Sequence, residues 1–69
     1  MENKKEICSL FLKALQATRG GEDLTALDYR KTEDGEEWVL MTYKNGYQKA
    51  VCVTADSGTA LMKDILKEV

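Results

Sequence analysis

Glu33, Asp34, Glu36 and Glu37 form the densest group of side chains able to do chemistry in this chain. Carboxylate oxygens in such a cluster could bind a hard divalent cation, or two of them could divide acid and base roles. Neither use fits well. The four acids span a tight reversal, where successive side chains point to alternate faces, and acid–base pairs need a cleft that one small core rarely encloses. The chain has no histidine, which removes the usual serine and cysteine triads and the common zinc ligand sets. Cys8 falls on the apolar side of a helical repeat with no base at hand, and we read Cys8 and Cys52 as reduced, buried, small apolar residues. No phosphate loop, dinucleotide fingerprint or calcium loop occurs. The expectation is no catalytic residue, no metal, no cofactor and no enzyme.

Positioning elements are easier to read. Asn3 followed by Glu6 has the spacing of a reciprocal helix cap, so a first helix should begin at Lys4. Ile7, Leu10, Phe11, Ala14, Leu15 and Thr18 recur at amphipathic offsets, and Gly20-Gly21 should end the helix. Asp34-Gly35 and Asn45-Gly46 each suit a two-residue type I′ hairpin turn. They divide the middle into strands 24–32, 36–44 and 47–55, with no room for a crossover helix. Asp56 and Ser57 then offer two caps for a second helix carrying Leu61, Met62, Ile65, Leu66 and Val69. The predicted fold is α+β in the order α-β-β-β-α: a three-stranded antiparallel meander with both helices packed on one face.

With 69 residues, residues 1–69 should form a single domain with one core and a narrow margin of stability, which self-association would widen. The most apolar N-terminal stretch, Ile7 to Leu15, is interrupted by Ser9 and Lys13, so neither secretion nor membrane insertion is expected, and the cytoplasm is the default compartment. Residues 22–37 carry seven acids against two bases, a net −5 that leaves +3 elsewhere. A solvated surface is the plain account of that asymmetry.

Two-residue turns would fix the register, placing Leu27, Tyr29, Trp38, Leu40, Val51, Val53 and Ala55 under the helices. The outward face would then present Val39, Met41, Tyr43 and Ala50, too apolar for solvent, which marks them as the expected interface with a second copy or a protein partner. On this reading Met41→Asp or Val39→Lys should shift the chain toward monomer.

The element order also resembles the double-stranded RNA-binding domain. That family contacts RNA through its first helix, the loop joining strands 1 and 2, and lysines opening the last helix. Here the loop is Glu33-Asp34-Gly35-Glu36, and the last helix opens Asp56-Ser57-Gly58-Thr59-Ala60-Leu61-Met62 before Lys63. Phosphate binding needs clustered Lys and Arg, so no site residue carries over. The run Tyr43-Lys44-Asn45-Gly46-Tyr47, leading into Val51-Cys52-Val53-Thr54-Ala55-Asp56-Ser57-Gly58, is similar to small uncharacterised bacterial proteins, some encoded on phages or other mobile elements. That likeness implies a small accessory protein. The first expectation is therefore a non-catalytic interaction protein. The alternative is a nucleic-acid-binding module using Lys4, Lys5, Lys13, Lys63 and Lys67. An acidic DNA mimic is a third, more distant possibility.

Overall fold

Capping chemistry sets the helix boundaries. In the computed structural model, which describes residues 2–69, the Asn3 side chain accepts from the Glu6 amide at 3.0 Å and opens α1 (Lys4–Gln16). The helix stops earlier than the glycine pair suggests. Ala17 caps it, and the Thr18 hydroxyl donates to the Leu15 carbonyl at 2.7 Å while accepting from Gly21 N–H at 3.1 Å. Gly21 is required there, because a Cβ would lie 2.3 Å from the Leu15 carbonyl oxygen. Ser57 caps α2 (Gly58–Glu68) by accepting from the Ala60 amide at 3.2 Å.

Between the helices, β1 (Leu24–Lys31), β2 (Glu37–Tyr43) and β3 (Gln48–Cys52) form an antiparallel sheet in that spatial order. The α-β-β-β-α order and the meander are as expected, and both helices cover one sheet face. Core side chains come from every element: Cys8 and Leu15, Leu24 and Leu27, Val39 and Met41, Val53 beyond β3, and Leu61 and Ile65.

The turns differ from expectation, and the difference propagates. Thr32 N–H donates to Glu36 at 2.8 Å and Gly35 N–H returns to Thr32 at 3.1 Å, so Glu33-Asp34-Gly35 is a three-residue loop with Gly35 at φ +87°. The second reversal repeats it: Tyr43 pairs with Tyr47 around Lys44-Asn45-Gly46, with Gly46 at φ +86°. This is a turn followed by a left-handed glycine bulge, the next most common hairpin after the two-residue type. Each extra loop residue slips the register by one, and a slip of one exchanges faces.

Because both turns slip, β1 and β3 keep their expected faces and β2 alone is inverted; Ala55, expected beneath the helices, lies past the end of β3 and is exposed. Val39 pairs with Tyr29 and Val51, and Met41 with Leu27 and Lys49. Val39 and Met41, expected to face outward, are 0% exposed beneath the helices. Trp38 and Leu40, expected beneath them, lie on the uncovered face with Ala50. A bulge between Leu24 and Ala26 also turns Leu24 inward, where strict alternation from Leu27 would face it outward.

Candidate docking site

The acidic cluster does not act as a unit. Glu33, Asp34 and Glu36 stay exposed at the hairpin tip, whereas Glu37, one residue into β2, is buried under the start of α1. Its carboxylate takes Lys4 Nζ at 2.6 Å, the Tyr29 hydroxyl and the Ala55 amide at 3.0 Å. Lys4 also sits 5.9 Å from the centroid of the Tyr29 ring. The hydrogen bond from Lys4, then those from Tyr29 and Ala55, hold the Glu37 carboxyl down at about 2. Reciprocally, the bond to Glu37, followed by burial and the carboxylate's charge, pushes the Tyr29 phenol up to about 12. Through Lys4 the Glu37 carboxylate ties the start of α1 to the sheet. Delivering the Ala55 amide holds that residue at φ +64°, the one non-glycine with positive φ among the described residues.

Two further polar ties fix the helices. Glu2 accepts from the Gly58 amide at the start of α2, and a Cβ on Gly58 would come within 2.6 Å of Ile7. At the other end, Lys49 points inward from edge strand β3 and donates to the Glu68 carbonyl at 3.0 Å. A charge turned inward on an edge strand also discourages sheet extension by another chain. Both thiols are free. Cys8 is buried as expected, and burial, then the charge of Asp28, pushes its thiol up. Cys52, expected to be buried, is exposed on the open face.

The expected interface residues are scattered. Val39 and Met41 are core, Tyr43 is partly buried against that core, and only Ala50 is exposed on the open face. The basic residues scatter too. Lys4 is held by Glu37, and Lys5 lines the cleft between α1 and β1 with Ser9 and Leu12. Lys13 is exposed on α1, and Lys63 and Lys67 are exposed on α2. No group of three or more acidic or cysteine side chains able to hold a metal occurs among the described residues. No helix among them is long and apolar enough to cross a membrane.

Apolar exposure concentrates instead on the outer side of the helix layer. Ile7, Leu10, Phe11, Ala14 and Met62 line a groove of about 280 Å³ between α1 and α2. Leu10 is 58% exposed. On α2, Leu66 stands one turn beyond Met62 and is 53% exposed, and the C-cap Val69 is 40% exposed. Of the strongly exposed large hydrophobics among the described residues, Tyr47 alone lies elsewhere, stacked at an angle on Tyr43 in the second hairpin. The signal was present in α1. Its apolar positions Leu10, Ala14, Ile7, Phe11, Leu15, Cys8 and Leu12 sweep about 200° of the helix, while one sheet face covers a stripe of little more than 100°. The excess arc holds Leu10, Ala14 and Ile7, which line the groove from the α1 side.

Comparisons with protein-family models, curated proteins and solved structures found no match.

Proposed function

We propose that this protein is a non-catalytic interaction module whose docking surface is the groove between α1 and α2. One observation carries the reading: Leu10 is more than half exposed on an apolar groove that it lines with Ile7, Phe11, Ala14 and Met62, and Leu66, one turn beyond Met62 on α2, is exposed as well. Contiguous exposed apolar area of this kind marks interaction surfaces, and a helical groove is a common seat for a partner helix. The test is binding of a solvatochromic apolar dye to submicromolar protein. Wild type should brighten it. Leu10→Lys and Leu66→Lys should each dim the signal severalfold while melting as cooperatively as wild type. A dye that ignores the wild-type protein would overturn the reading.

A second reading keeps the interface on the sheet, where Trp38 and Leu40 occupy the centre of the uncovered face beside Ala50. Its support is weaker, since both side chains are already half-buried among their strand neighbours. Nucleic-acid binding through Lys4, Lys5, Lys13, Lys63 and Lys67 has less support still. Lys4 is tied to Glu37, and Lys5 lines the cleft between α1 and β1. That alternative would show as retention on a duplex RNA column, falling as salt rises.

A further inference from the structure

The apolar stripe of α1 contains a second rhythm. Ile7, Leu10 and Ala14 alternate by three and four residues, and Asn3 and Ala17 continue the spacing at the two caps. This is the spacing by which two helices interlock side chains along a shared seam. Glu6 and Lys13 each stand one residue before a seam position, Ile7 and Ala14, and so flank the seam on the same side. Both are exposed, and among the described residues neither side chain has an ion-pair or hydrogen-bond partner.

Resting on the docking reading of the groove, we propose that its occupant is α1 of a second copy of this chain, packed antiparallel across a two-fold axis close to Leu10. A two-fold contact uses the same patch on both copies and must complement itself. This patch does so in shape and charge. It has a projecting side chain, Leu10, and a depression beside it bounded by Ile7, Phe11, Ala14 and Met62. Rotation about the axis places each Leu10 in the other copy's depression. It also exchanges positions equidistant from the axis, so Glu6 of each copy meets Lys13 of the other. A parallel pairing would set those charges against Phe11 and Thr18, leaving both unmatched. Leu66 then closes the groove over the incoming helix from the α2 side. The charge pattern selects both the occupant and its direction.

Sedimentation equilibrium on charge-reversed variants tests this directly. Wild type should move from one-chain to two-chain mass as concentration rises. Glu6→Lys and Lys13→Glu should each weaken association roughly tenfold or more, because like charges then face each other twice across the axis. The double exchange Glu6→Lys/Lys13→Glu should restore association, and so should an equimolar mixture of the two single variants. The mixture is decisive, since each protein brings its own helix-end defect yet their charges match. A wild type that stays at one-chain mass to millimolar concentration overturns the proposal, and so do single reversals that leave association unchanged or a mixture no tighter than its components. If the wild type stays monomeric but still brightens the dye, the second copy is wrong and the docking groove stands. If the dye also fails, both fall.

Discussion

The uncovered face of the sheet and the outer side of the helix layer both have apolar centres, yet they leave their hydrophobic groups in different states. On the sheet, Trp38 is flanked across the strands by Arg30 and Cys52, and Leu40 by Asp28 and Ala50. Neighbours on both sides keep these large side chains mostly out of water. On the helices Leu10 and Leu66 have no such flanks and remain more than half exposed. The same residue type is satisfied within the chain in one place and unsatisfied in the other. Cross-strand pairing screens a sheet residue from both sides, whereas a helix residue beyond the edge of its contact stripe can be covered only by another element.

The largest effect separating the two sides of β2 should come from Met41→Asp. Burying a carboxylate at a 0% exposed position should cost about 4 kcal/mol, comparable with the whole folding free energy of a chain this small. Urea titration should find it unfolded, and the same holds for Val39→Lys. Its neighbour Leu40→Thr, on the open face, should lose about 1 kcal/mol or less. Equal losses at Met41 and Leu40 would contradict the inverted placement of β2.

Acid should loosen the end of the molecule where the Glu37 clamp fixes the start of α1 to the sheet, the same end as Ile7 of the groove. The folded pKa of Glu37 lies near 2, below the ordinary 4.5. The clamp's contribution is therefore fully present above about pH 4.5 and is lost as pH falls toward 2. Tyr29 has the opposite sign: its folded value near 12 exceeds the ordinary 10, so its contribution is lost as pH rises from 10 to 12. Glu37→Gln should remove most of the acid dependence in a pH series of thermal melts. Asp56 counteracts part of it. Its carboxyl is pushed up by the neighbouring Asp64 carboxylate and then by burial, and its Oδ2 is buried with no partner. Ionising Asp56 therefore costs stability as pH rises, and Asp56→Asn should raise the melting temperature at neutral pH.

Ala55→Gly should have a smaller effect. It relieves a left-handed alanine worth roughly 1–2 kcal/mol of strain and loses part of that to the greater freedom of glycine in the unfolded chain. A gain of about 0.5–1 kcal/mol is expected, provided the Ala55 amide still reaches Glu37. Smallest of all should be the effect of Leu10→Lys on the stability of the monomer, within about 0.5 kcal/mol, because that side chain contributes little to its own fold.

Element order was legible because each boundary carries its own local chemistry: Asn3 and Ser57 as caps, Gly35 and Gly46 as reversals. The facing of β2 was not. Asp34-Gly35 and Asn45-Gly46 satisfy a two-residue turn and a three-residue loop equally well, since both require glycine at positive φ. Nor could the strand's own pattern decide, because Trp38 and Leu40 are as apolar as Val39 and Met41. Pairing Lys4 with Glu37 joins residues 33 positions apart, and no local spacing announces it. Leu10 was read correctly as apolar and helical. Its position beyond the sheet's reach could have been found from the width of the α1 stripe.

In the proposed dimer the helix groove, and not the sheet, is the surface this protein offers to another chain. Sedimentation equilibrium on Leu10→Lys and Leu40→Lys, the same change on the two surfaces, puts it to the most direct test. The groove account predicts that Leu10→Lys holds the protein at the mass of one chain while Leu40→Lys associates as wild type does. The reverse pattern, with Leu40→Lys monomeric and Leu10→Lys still paired, would contradict it.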